Sequence, residues 1–283
     1  MKSFDFFARR LLFGSLVISM ALGIGRGITA ADDAKSESLA PAASQATAEA
    51  GHDLHPVALL RDDFKDKFAL NWNIVREDKE HISLTKDPGH LTITTQRGTI
   101  HGDVEHDDFS QGIRAKNIFL LPNVLSESSD FSITLAVRNF EPTTFWHQVG
   151  LLCYDDDANY VKWSFEYSQS KPGSTNFVMV RQTDKVPEHD LIVELPNPKR
   201  LWLRVTRRET DYECAYSTDG REFKVAGSRG WGKHPPKFVG FLAKNGGNPD
   251  AGEIDVSIDS FELLSPPSAS PTTREGESAR SNP

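Results

Sequence analysis

A chain of 283 residues with 38% hydrophobic side chains can build one substantial core, or two small ones. Its formal net charge is −8 at pH 7, and no basic run in the body of the chain is longer than Arg207-Arg208. That balance removes the electrostatic ground for binding nucleic acid.

Residues 1–31 read as a secretory signal peptide. Lys2, Arg9 and Arg10 make a positive start, Leu11–Gly25 is an apolar run shorter than a comfortable membrane span, and Thr29, Ala30 and Ala31 are small enough for cleavage. Ala8 stands where a twin-arginine signal usually has Ser or Thr, which favours the general export route. The expected location is therefore secreted or periplasmic, with no transmembrane segment in the mature chain. Residues 32–56, rich in Ala, Ser and acidic side chains, read as a flexible linker. Residues 266–283 carry Pro, Ser and charge without periodicity and read as a disordered tail. Between them, 57–265 shows no comparable break and is read as one domain.

Strand signals recur through that body. Leu91–Thr95 alternates after the turn Asp87-Pro88-Gly89, and Phe131–Val137 alternates Phe131, Ile133, Leu135 and Val137 against Ser132, Thr134 and Ala136. Gln148–Tyr154 and Tyr160–Tyr167 flank an acidic turn, Asp155–Asn159, and predict a hairpin. Phe177–Gln182, Leu201–Thr206, Tyr212–Tyr216, Phe238–Leu242 and Ile254–Ile258 complete the set, and Asp219-Gly220 makes a further tight turn. No segment has apolar residues at helical spacing over a helical length. Many short strands between turns predict an all-β, two-sheet antiparallel jelly-roll sandwich.

The central hairpin frames the functional question. In its second strand Val161, Trp163, Phe165 and Tyr167 point to one face, which is core, and Tyr160, Lys162, Ser164 and Glu166 to the other. The second face is either a solvated sheet surface or a surface that bonds a polar ligand.

Several short motifs fall in the order seen in concanavalin A-like jelly rolls. They are Asp62-Asp63-Phe64 with Trp72, Pro88-Gly89-His90-Leu91, Asn117-Ile118, Phe140-Glu141-Pro142, Gln148–Leu151, Tyr154-Asp155-Asp156, Asn159–Lys162, Tyr216–Gly220 and Val239-Gly240-Phe241. The chain most resembles the DUF1349 group and the C-terminal sandwich of β-xylosidases. The resemblance implies two stacked antiparallel sheets, one of them concave, with carbohydrate commonly held on the concave face. It leaves no room for the propeller that carries β-xylosidase catalysis, and it supplies the fold better than the activity.

The candidate carbohydrate-binding residues on that face are Trp146, Gln148, Tyr160, Lys162, Glu166, Arg181 and Trp202. Aromatic rings pack against the C–H faces of sugars, and planar polar groups bond their hydroxyls. The leading expectation is a non-catalytic domain that binds a polysaccharide or a glycan-bearing partner. One alternative is a glycoside hydrolase with Glu166 as first catalytic suspect, and another is a structural envelope protein without a small ligand. Glu253 and Asp255 share a strand face as paired glycosidase carboxylates do, but Ser257 and Ile258 stand where a further glutamate is needed. His101, Asp103 and Glu105 gather metal-ligand types without any specific zinc spacing. Sandwiches of the resembled type often tie the first strand to the last with calcium. Asp63 and Asp259 are the candidate hard-oxygen ligands for such a structural ion, and no other cofactor is expected. Cys153 and Cys214 both look inward-facing, and they are read either as a bridge or as two buried free thiols. Nothing in the sequence sets the oligomeric state.

Overall fold

The computed structural model describes residues 57–125, 130–168 and 171–265; the segments read as signal peptide, linker and tail lie outside the described residues. Fifteen strands carry the described chain. They are β1 (Val57–Asp62), β2 (Asn73–Val75), β3 (Ile82–Ser83), β4 (Leu91–Thr94), β5 (Ile118–Pro122), β6 (Phe131–Arg138), β7 (Gln148–Asp156) and β8 (Asn159–Tyr167). The chain continues through β9 (Thr175–Thr183), β10 (Val186–Glu194), β11 (Arg200–Arg208), β12 (Asp211–Ser217), β13 (Lys224–Gly230), β14 (Phe238–Lys244) and β15 (Asp255–Ser265).

Two antiparallel sheets result, as the alternation predicts. One has seven strands in the order β10-β9-β8-β7-β14-β5-β2. The other has eight, in the order β13-β12-β11-β6-β15-β4-β3, with β1 added to β15. The central hairpin turns more tightly than expected: its strands run to Asp156 and from Asn159, which leaves Asp157 and Ala158 at the tip.

The core lies between the sheets because alternate residues of both inner faces are apolar. Val161, Trp163, Phe165, Phe177 and Met179 of one sheet meet Ile133, Leu135, Leu203, Val205 and Phe261 of the other. Each fully buried large side chain contributes about 2–3 kcal/mol by leaving water. Trp163 adds direction. Its indole Nε1 donates to the Ala215 carbonyl of the opposite sheet at 3.0 Å, and its ring stacks on Phe177 at 5.1 Å. Cys153 and Cys214 lie in this core as free thiols.

The seven-stranded sheet is covered on its outer side as well. Leu120, Leu152, Val178, Val180 and Leu242 form a second apolar cluster with Ile100 and Ala115. The last two belong to a segment that folds back over the sheet and is tied down by Gly98 N–H to Gly246 C=O at 2.7 Å. A glycine at 98 is required, since a Cβ there would sit 2.5 Å from the Arg114 carbonyl oxygen.

Two aspartates, Asp62 buried and Asp157 partly exposed, fix the chain around these sheets. Asp62 is fully buried and accepts hydrogen bonds from the backbone N–H groups of Phe64, Ala69 and Leu70 and from the Trp72 indole. Asp157, at the hairpin tip, accepts from Arg76 at 2.9 and 3.1 Å, from Arg114 at 2.7 Å and from the Tyr154 hydroxyl at 2.7 Å. Burial alone raises the Asp157 pKa; the bonds from Arg76 and Tyr154, and then Arg114, outweigh it and hold the carboxyl below its ordinary value.

A carboxyl depressed in this way stabilises the native state above its unfolded pKa of about 3.9, and that contribution disappears as pH falls through the native pKa. Asp157→Ala is expected to destabilise by about 2 kcal/mol at pH 7, the partial exposure of both guanidiniums keeping the cost below that of a fully buried pair. In urea unfolding the gap between variant and parent should narrow as pH falls below the unfolded carboxyl pKa of about 3.9. A gap of equal size at neutral and acid pH would assign the loss to packing instead.

Candidate functional site

Antiparallel register gathers one polar patch on the outer face of the seven-stranded sheet. Gln148 of β7 lies between Glu166 of β8 and Lys244 of β14 in one row across the strands. The next row brings Ser164 and Gly150 beside Leu242, and the one after it Lys162 beside Leu152. Lys162 and Lys244 are each only 2% exposed, and Gln148 is 3% exposed.

The geometry explains how lysines lie down on a sheet. Lys162 starts two rows from Gln148 yet donates its ammonium to Gln148 Oε1 at 2.5 Å. Its stem therefore crosses the intervening row, where Gly150 has no side chain and Ser164 a short one. A Cβ on Gly150 would come within 2.8 Å of both Ser164 Cβ and the Trp163 carbonyl oxygen, so the channel depends on that glycine. The Ser164 hydroxyl donates weakly to Glu166 at 3.5 Å.

The patch carries perturbed charges. Burial lowers the Lys162 pKa, with Glu166 opposing the shift. Burial and then the charge of Lys162 push Lys244 well below the ordinary lysine value, again against Glu166. Burial raises the half-buried Glu166, while Lys162 and Lys244 pull it back. His101 reaches in from the covering segment and meets His189 of β10, Nε2 to Nε2, at 3.2 Å. One ring must donate and the other accept, so at least one is neutral. Burial, helped by Lys162, holds His101 down to about 3.

Aromatic rings border the patch where β7 begins and β14 ends. Trp146 contacts Phe145 at 5.0 Å and Phe109 at 5.5 Å, both edge to face. Phe145 and Phe109 are 37% and 39% exposed, so a hydrophobic rim faces solvent. Trp146 sits at φ 73°, a rare conformation for a bulky side chain, and is held against Gly246, where a Cβ would stand 2.5 Å from Trp146 Cβ.

The sequence-predicted residues are thus only partly brought together. Gln148, Lys162 and Glu166 share the patch, and Trp146 is at its rim. Tyr160 is on the same face but fully buried, donating to Gln182 Oε1 at 3.2 Å beneath the covering segment. Arg181 is a correction: it pairs in register with Val161, which puts it on the opposite face, and it bonds Asp190, Glu188 and the Gly230 carbonyl. Trp202 is another. It lies on β11 in the eight-stranded sheet, packed over Gly220 with the Arg200 guanidinium 5.8 Å from its ring. Lys162 lies on the outer face, as the alternation predicts, but that face is not a solvated surface there: the side chain is 2% exposed and bonded to Gln148. Lys244 and Phe109 were missed. Lys244 ends a short apolar strand, and Phe109 sits in a stretch without periodicity.

Among the described residues no group of three or more His, Cys, Asp or Glu stands close enough to hold a metal ion. Asp63 is paired with Arg61 at 2.6 Å, and Asp259 with Arg200 at 2.9 Å. Glu253 faces His81 at 3.3 Å, and Asp255 pairs with Lys86 at 2.7 Å. No helix among the described residues is long and apolar enough to cross a membrane.

Comparison with known proteins places this architecture. The family model of the β-xylosidase C-terminal concanavalin A-like domain matches residues 61–241. Among solved structures, the GH43 protein BlXynB of Bacillus licheniformis superposes with a TM-score of 0.59 at 23% identity, over 73% of this chain and 39% of that one. GH43B of the Bacteroides ovatus xyloglucan PUL does so with 0.56 at 21% identity, over 73% and 39%. The xylan β-1,4-xylosidase of Bacillus halodurans C-125 gives 0.55 at 16%, over 72% and 38%. The chain spans about two fifths of the length of these proteins. At such identities the likeness establishes the fold. No curated protein matches the chain.

The buried lysine stem yields a test. Lys162→Ala leaves a cavity and an unpaired Gln148 amide oxygen, and is expected to destabilise by about 2 kcal/mol. Lys162→Met keeps the stem volume and removes a buried charge, so it should cost less than about 1 kcal/mol. Urea denaturation of the two variants checks this. Equal losses would mean that the hydrogen bond to Gln148, rather than the packing of the stem, holds the site.

Proposed function

The chain belongs to the family of β-xylosidase C-terminal concanavalin A-like domains, and on that premise we propose that it is a non-catalytic carbohydrate-binding domain. The ligand lies on the outer face of the seven-stranded sheet, the face the sequence reading expected to be concave. The observation that carries this reading is the convergence of Gln148, Glu166 and Lys244 in one row, joined by Lys162 reaching Gln148 from two rows away, beside a solvent-facing rim of Phe145, Trp146 and Phe109. Polar groups in a half-enclosed patch with exposed aromatic rings suit a sugar, which presents hydroxyls at its edge and C–H bonds on its faces. A leader in residues 1–31 would deliver the domain outside the cytoplasm, where polysaccharide is met.

Hydrolysis is the weaker reading because the second carboxyl it needs is already engaged. Glycosidases use two carboxyl groups about 5–10 Å apart around the bond they break. Glu166 is one carboxyl on this face. The next in its row is Glu194 of β10, beyond Asn176 of β9, and it is engaged by Lys171 at 3.0 Å.

The purified domain is expected to be retained on insoluble polysaccharide without releasing reducing sugar. Trp146→Ala should weaken retention at least tenfold, about 1.4 kcal/mol, while Trp202→Ala, on the other sheet, leaves it unchanged. Sugar release that disappears in Glu166→Gln would replace this reading with an enzymatic one. If neither retention nor release is seen, the structural envelope protein takes its place.

A further inference from the structure

The lysine-rich patch holds more positive charge than its own residues balance. Lys162 is hydrogen-bonded to Gln148, but Lys244 makes no hydrogen bond or ion pair of its own among the described residues, although it is 98% buried by its 2% exposure. Its place opposite Gln148 in the register sends its side chain to the outer face, into the patch. One carboxylate, Glu166, faces the two ammoniums. The other nearby groups do not complete the balance: Gln148 and Ser164 are neutral, Glu194 is held by Lys171, and Asp190 is held by Arg181 and Arg229.

An ammonium withdrawn from water without a partner is costly, and a fold that keeps one has either neutralised it or left room for an anion. Burial moves Lys244 toward the first outcome, and an anion beside it would restore the ammonium; the surroundings leave room for one. Glu166 is half-buried and His189 exposed, so the patch opens on that side, while the aromatic rim stands where a sugar ring would rest beside Lys244. A neutral hydroxyl would accept a hydrogen bond from Lys244 and leave the charge unbalanced; an anionic substituent satisfies both.

Building on the carbohydrate-binding reading, we infer that the saccharide this site takes is acidic. Its anionic group, a carboxylate or a sulfate ester, is held by Lys244 and Lys162, and its ring rests on the Trp146 rim. The chain as a whole repels polyanions, with a net charge of −8, so any preference for them must arise locally.

Affinity electrophoresis of the full chain tests this with matched polymers. Polygalacturonate and its fully methyl-esterified form share a backbone and differ in charge. A sulfated galactan and the corresponding neutral galactan make the second pair. At least tenfold stronger retardation by a charged member than by its neutral partner is expected. The pair that shows the preference identifies the anion as carboxylate or sulfate. Lys244→Met should keep or raise the melting temperature, because it removes an unpartnered buried charge, and should abolish the preference. If that variant fails to fold, Lys244→Gln serves in the same comparison, and the parent comparison requires no variant. Equal retardation by charged and neutral partners, or a preference that survives Lys244→Met, overturns the inference and leaves the carbohydrate reading standing. No retardation by any of the four polymers overturns both.

Discussion

The arrangement depends on Trp163 reaching across the sandwich. Its indole bonds the Ala215 carbonyl of the facing sheet in a dry interior, which sets both the facing of β8 and its position along the core. Side chains on a strand alternate, so placing Trp163 inward places Lys162 and Ser164 outward with no further choice. A slip of one residue would bury Lys162 and Glu166 between the sheets and expose Val161, Trp163 and Phe165. The register that stabilises the fold is thus the same register that assembles the polar patch.

The patch exists because the outer face is covered unevenly. Over Leu152, Val180 and Leu242 the segment carrying Ile100 and Ala115 closes the sheet with apolar contacts. Toward Gln148 and Lys244 that cover gives way to the aromatic rim. Gly150 and Ser164 leave a trough between these zones, and Lys162 fills it with a methylene stem while its ammonium ends at Gln148. Long cationic side chains often place their stems on apolar surface and their heads in water. Here the head is kept from water as well and is hydrogen-bonded to the Gln148 amide oxygen.

Much of the sandwich was legible in the sequence, for a physical reason. Where one face of a strand is apolar and the other polar, period-two alternation is strong, and β6, β8 and β11 all show it in sequence, although only β11 also alternates in burial. The strands that were missed lack that contrast: β10 and β13 are polar edge strands, β2 and β3 are two or three residues long, and β1 and β5 open on continuous apolar runs without alternation. The site was legible only along single strands. Alternation assigned Gln148, Lys162 and Glu166 to one face correctly, because all three lie on one hairpin. It could not say which sheet a strand joins, so Trp202 was credited to the wrong one. Nor could it fix register between β8 and β9, so Arg181, opposite Val161, was placed a face away from its true position. Lys244 and the Phe109 rim come from distant parts of the chain and meet the hairpin only through tertiary pairing.

Set beside one another, the two acidic hubs and the lysine patch show opposite solutions to burying charge. Asp62 has four donors and Asp157 has three side chains around it, so each carboxylate is fully engaged within the protein. The Asp62 site is closed, and Asp157, though partly exposed, is held by structural partners. Lys244 has burial without engagement, and its neighbour Lys162 is matched only to a neutral amide. Replacing such groups with apolar side chains of similar size is commonly neutral or stabilising, so packing alone does not explain why two lysines are buried on this face. The proposed anionic saccharide would supply a partner for these lysines, beside the half-exposed Trp146 at its left-handed backbone position.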